Sequence, residues 1–288
     1  MKRYLLLVLC VLCIFNAVGS KGNVIKHDLA LSYDAETIAY SVYGSGDTTL
    51  VFIHGWSSDS RYWMKQLAPF GKDYKIITID LAGHGNSSSN RKDYTINSFA
   101  KDIRAVIERE DLNNVILIGH SMGGSIVATA VQYIPNRVKG IIGIDTFHDV
   151  SSKRPQKAID ALLTPFSANY KKTMGVFVAR LFSEKTNEGL KRWISHDMTS
   201  APKSVAVSAI SHFMQQFITG DSASVFKDIT IPVISINAKQ RPTNETGNKE
   251  TIKNYRLVYI AETGHFPMLE KPQEFNMLLD KAIHDIEK

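Results

Sequence analysis

The six residues Gly119-His120-Ser121-Met122-Gly123-Gly124 stand between an apolar run, NVILI, and a second run, SIVATAVQYI, with helical spacing. A G-x-S-x-G pattern in that setting reads as a strand, a sharp turn and a helix. Gly119 and Gly123 leave room for a turn that side chains would obstruct, and the turn lifts the Ser121 hydroxyl above the edge of a sheet. A chain that makes such a junction needs a strand covered on both faces and partners able to cover it.

The rest of the chain supplies them. HDLALSY and TIAYSVYG read as a hairpin, and five further runs join NVILIGH as strands: TLVFIH, YKIITID, VKGIIGID, IPVISIN and YRLVYIAE. Each is short and apolar, as expected of strands buried on both faces. Helical spacing fills the intervals at about 59 to 69, 96 to 110, 122 to 134, 244 to 253 and 272 to 287. The fold class this predicts is α/β, a mostly parallel central sheet with helices on both faces. One interval departs from the rhythm: residues 147–226 carry helical patterns broken by Pro155, Pro165, Gly175, Gly189 and Pro202, and read as a helical lid inserted into the domain.

The chain starts differently. Lys2 and Arg3 precede an apolar run from Tyr4 to Phe15, followed by Ala17, Val18, Gly19 and Ser20. That order is the pattern of a secretory signal peptide, residues 1–19, ahead of a mature domain of residues 20–288. The run is shorter than the roughly 20 residues that cross a bilayer, so no membrane span is expected after cleavage. Leu precedes both Cys10 and Cys13, where a lipid-anchored cysteine needs a small residue. Both cysteines of the chain lie in this segment, so an exported, periplasmic or secreted product would fold without disulfides. The formal charge of +6 falls to +4 without Lys2 and Arg3, and no basic run interleaved with aromatics points to nucleic acid.

A serine hydroxyl attacks only when a base takes its proton. His265, in ETGHFPMLEKP, follows the last strand and precedes the last helix, which puts it on the same sheet edge as Ser121. Charge on an attacked carbonyl oxygen needs fixed N–H donors. Met122, next after the serine, offers one, and Trp56, in the loop after TLVFIH, offers the other.

With FIHGW, DLAGHGNS, GHSMGG, IPV and GHFPMLEKP in this order, the chain resembles the α/β-hydrolase family, in its lidded, esterase-like branch. The resemblance covers essentially the whole mature sequence. It implies a cofactor-free site under the lid, acyl-enzyme chemistry, and a nucleophile, acid and histidine in that order along the chain; separately, no His-x-x-x-His or clustered Cys/His pattern at the elbow points to a metal. It also makes Asp80 and His84 a structural turn. The acid is the open point. In most relatives it lies a few residues past the strand that here reads IPVISIN, but that loop holds Ala238, Lys239, Gln240, Arg241, Pro242 and Thr243. Glu245 comes next, at a helix start where the helix dipole alone explains an acidic side chain. One core strand earlier, Asp145 ends GIIGID, and a carboxylate finishing an apolar run needs a partner such as His265. Asp149 is a third candidate, farther along.

The expected reaction is hydrolysis of a carboxylic ester or similar acyl bond of a small molecule by Ser121, His265 and Asp145. Other acyl bonds on the same residues (an amide, a lactone, a carbon–carbon bond of a diketone), peroxide-dependent perhydrolysis, and a weakly catalytic binding protein are the competing expectations. Aromatic and apolar residues of the insertion, among them Phe166, Phe177 and Phe213, are expected either to line an acyl pocket or to pack the lid helices together.

Overall fold

The computed structural model describes residues 24–288, so the segment read as a signal peptide lies outside the described residues. Eight strands form one sheet in the order β1-β2-β4-β3-β5-β6-β7-β8. β1 (Val24–Leu31) and β2 (Thr37–Tyr43) make the antiparallel hairpin, and β2 pairs antiparallel with β4 (Lys75–Ile79). From β4 onward every pairing is parallel, through β3 (Thr49–Ile53), β5 (Val115–His120), β6 (Val138–Ile144), β7 (Val233–Ala238) and β8 (Tyr255–Ile260).

Every residue of β3, β5 and β7 is buried, which is why those runs read as unbroken apolar stretches. The edges depart from that expectation. β1 leaves Leu29 and Leu31 exposed, and of β8 only Tyr255 and Ile260 are buried, because an edge strand has a neighbour on one side only.

The helices follow the predicted intervals. α1 (Met64–Phe70) packs against the long C-terminal helix α11 (Pro272–Glu287), and α2 (Ile96–Arg109) packs against α3 (Met122–Val131). α2 begins where Thr95 and Ser98 cap each other's backbone N–H, and it turns Phe99, Ile103, Val106 and Ile107 inward. Between β6 and β7 there are only helices: α4 (Gln156–Ala168), α5 (Tyr170–Ala179), α6 (Glu188–Ser200), α7 (Lys203–Thr219) and the single turn α8 (Asp221–Ser224). α9 (Glu245–Thr251) and the short α10 (Pro267–Glu270) complete the set. No helix of the described residues is long and apolar enough to cross a membrane.

A parallel sheet sends the carboxyl ends of its strands to one edge, and loops that leave that edge meet there. Trp56 follows β3, Ser121 follows β5, Asp145 follows β6 and His265 follows β8. Residues distant in sequence are thereby brought to one place.

Candidate active site

Ser121 sits between β5 and α3 with φ 54 and ψ −119, a backbone conformation that L-residues rarely adopt. The flanking glycines are there for space. A Cβ on Gly119 would lie 2.4 Å from Gly123 O, and one on Gly123 would lie 2.7 Å from His54 O. Ser121 N donates to Ile144 O at 3.0 Å and Thr146 Oγ1 donates to Ser121 O at 2.8 Å, so β6 and its following loop hold the strained turn in place.

The turn opens into a cavity of about 350 Å³, lined by Ser121, His265, Asp145, Trp56 and Met122 together with residues of the helical insertion. Phe166, Phe177, Phe213, Met214 and Phe217 face it, whereas Trp193 stacks on Tyr62 and Phe182 on Phe266. Some aromatics of this helical segment thus line the cavity, and others pack against residues of the domain beneath it.

His265 meets Asp145. Its Nδ1 lies 2.5 Å from Asp145 Oδ2, and the other carboxylate oxygen accepts from Ala238 N at 2.9 Å. Asp145 is buried, and it too has a positive φ, 42°. Burial alone pushes its carboxyl up, but His148 and His265 outweigh it and hold the group far below the usual carboxylate range. An ionised carboxylate at this distance fixes the proton of His265 on Nδ1, which leaves Nε2 as the free base. Burial pushes His265 below the ordinary histidine range; Asp145 opposes the shift and Arg241 and His148 add to it. At neutral pH the ring therefore carries only the Nδ1 proton, is uncharged, and can accept a second proton on Nε2.

Glu245 is elsewhere. It opens α9, is half-buried, and pairs with Lys249 at 2.7 Å. Asp149 lines the cavity, but its carboxylate accepts from Ser151 Oγ at 2.7 Å. Of the three candidate acids, only Asp145 meets His265.

The histidine loop is fastened from two sides. His120 Nε2 donates to His265 O at 2.7 Å, and His265 N donates to Leu181 O of the insertion at 2.7 Å. Glu270 accepts from Gly264 N at 2.9 Å and Phe266 N at 3.1 Å, and its carboxylate also takes the hydroxyl of Thr186. Gly264 must be glycine, because a Cβ there would lie 2.3 Å from Leu181 O.

On the other wall, His54 accepts from Leu81 N at 3.0 Å through Nε2 and donates from Nδ1 to Gly55 O at 2.8 Å. It thus ties the loop carrying Trp56 to the loop after β4. Asp80 accepts from Ser60 N and Asn86 N, each at 2.9 Å, the structural part the resemblance implies for that turn. Trp56 is buried, and its indole Nε1 donates to Ala206 O of α7 at 2.8 Å. Met122, the first residue of α3, has a backbone N–H with no carbonyl of its own helix to meet.

A model of the alpha/beta hydrolase fold matches residues 48–272. The chain belongs to the α/β-hydrolase fold family. Among relatives of this hydrolase, the AB hydrolase superfamily protein YisY of Bacillus subtilis is 26% identical over 276 residues, 90% of this chain and 97% of that protein. The 3-oxoadipate enol-lactonase 2 of Acinetobacter baylyi is 24% identical, over 91% and 96% of the two chains. Among solved structures, a thermophilic esterase from Thermogutta terrifontis superposes with a TM-score of 0.79 at 18% identity, over 91% of this hydrolase and 100% of the esterase.

Three parts of the site had no signal in the sequence. Asn237 exchanges hydrogen bonds with both backbone groups of Thr146 and so shapes the loop after Asp145. Ala238 contributes only its backbone N–H. Arg241 stands 3.0 Å from Asp145, a contact between two loops that only the sheet order brings together.

Proposed function

We propose that this α/β-hydrolase is a serine hydrolase that cleaves a carboxylic ester or similar acyl bond of a small molecule through an acyl-enzyme. The observation that carries the reading is a strained Ser121 sharing one cavity with a neutral His265 whose Nδ1 is bound to Asp145.

Ser121 Oγ attacks the carbonyl carbon and passes its proton to His265 Nε2. The Trp56 and Met122 backbone N–H groups stabilise the oxyanion, and Asp145 stabilises the imidazolium. The imidazolium then protonates the leaving alcohol as the carbon–oxygen bond breaks. Water, deprotonated by His265, attacks the acyl-enzyme; the acid leaves and Ser121 regains its proton.

The helical insertion acts as a lid over the acyl group. Burying one CH₂ is worth about 0.8 kcal/mol, so each carbon the cavity accepts raises kcat/KM about fourfold. Across p-nitrophenyl esters we expect that rise over short chains and a fall once the chain outgrows the cavity. Hydrolysis of no acyl ester at any length would contradict the proposal.

The N-terminal segment supports export as part of the same reading. The mature protein should begin near Ser20, as read by the intact mass of the cell-envelope or secreted form. Recovery there of a chain that still begins at Met1 contradicts this.

A further inference from the structure

The loop after β7 holds no acid, yet it reaches the acid that β6 supplies. Arg241 Nε lies 3.0 Å from Asp145 Oδ2, the same oxygen that His265 Nδ1 meets at 2.5 Å. The Arg241 Nε–H has no aligned acceptor, so the contact is one of charge and not a directed hydrogen bond. The carboxylate is oriented instead by Ala238 N–H on Oδ1. The Arg241 side chain is 36% exposed and lines the same cavity as Ser121, whereas the Asp145 side chain is 0% exposed.

On the reading of Ser121, His265 and Asp145 as a catalytic triad, we propose that Arg241 is a positioning residue. Its charge on Asp145 Oδ2 sets the acid side of the pH range in which His265 works as a base. When His265 takes a proton, one carboxylate faces two cations across a single oxygen. Arg241 repels the imidazolium and weakens the attraction Asp145 has for it, so protonation gains less than in an isolated histidine and carboxylate pair.

The other groups around His265 do not cancel this. From β5, the His120 ring lies 4.6 Å away between centroids, and burial pushes it well below the ordinary histidine range. From the loop after β6, His148 Nε2 is 3.7 Å from Asp145 Oδ1, and Asp149 is engaged by Ser151. Arg154 lines the cavity from the insertion and adds to the positive charge. Glu270, from α10, is turned to backbone N–H groups on either side of His265. Among the described residues, Arg241 is thus the one permanent cation in contact with the acid.

The test is the rate of fluorophosphonate labelling of the full chain as a function of pH, a readout that needs no knowledge of the natural substrate. In the wild type the rate should rise with pH through a midpoint below 6.5, the ordinary histidine value, since the base must be neutral. Arg241→Gln should move that midpoint up by about 0.5 to 1 pH unit, with the high-pH plateau kept within several-fold. Arg241→Lys, which keeps a cation at the position, should hold the midpoint near that of the wild type. A Gln midpoint that coincides with the wild type or lies below it overturns the inference alone, as does a Lys midpoint displaced as far as the Gln one. A wild type that is never labelled overturns the serine-hydrolase reading, and the inference with it.

Discussion

Ser121→Ala is expected to abolish turnover, with kcat falling by about 10⁴- to 10⁶-fold. The loss is that large because the remaining parts of the site can polarise a carbonyl but have nothing with which to attack it. The fold should be unchanged, since Ser121 takes no part in the core and its backbone is held through Ile144 O and Thr146 Oγ1. The left-handed backbone at this position adds a second reading. A non-glycine residue at φ 54 stores about 1–3 kcal/mol, which glycine would relieve. Ser121→Gly should therefore be as inactive as Ser121→Ala but melt at a higher temperature. A loss of activity accompanied by a lower melting temperature in both variants would indicate that Ser121 serves the fold and not the chemistry.

Asp145→Asn should lower kcat/KM by about 10³- to 10⁴-fold, while Glu245→Gln stays within about twofold of the wild type. Asparagine suits the test because it tolerates the positive φ of 42° at this position, so the loop can keep its shape. What changes is the partner of His265. An amide that presents its NH₂ to Nδ1 stabilises the tautomer with the proton on Nε2, the wrong one for a base, and no longer stabilises the imidazolium. Among the described residues the Glu245 carboxylate pairs with Lys249, a partly exposed pair four residues apart on a helix and worth about 0.3–0.5 kcal/mol. Ester hydrolysis rates for both variants decide the matter. Near-full activity in Asp145→Asn together with a large loss in Glu245→Gln would move the acid to α9.

The elbow was legible because glycine is required there by contacts as short as 2.4 Å, and such a requirement leaves a trace in sequence. The central strands were legible because both of their faces are buried. The pairing of Asp145 with His265 could be read because an unpaired carboxylate at the end of an apolar run is costly. The parts that were not legible depend on register between separate loops. Nothing in IPVISINAKQRP says that Ala238 N–H will meet Asp145 Oδ1, or that Arg241 will stand beside Oδ2. Both follow from β6 and β7 pairing in parallel with Ile144 opposite Ile236. Glu270 is a similar case: nothing in GHFPMLEKP says that its carboxylate will join the histidine loop to the insertion.

The central claim is that Ser121 is the nucleophile and His265, held by Asp145, is its base. Peptide mapping by mass spectrometry after brief exposure to a fluorophosphonate tests it most directly. The account predicts one adduct, on the peptide that contains Ser121, formed quickly by the wild type and at least about 10³-fold more slowly by Asp145→Asn. An adduct on another residue, or equal labelling rates for the two proteins, would contradict it.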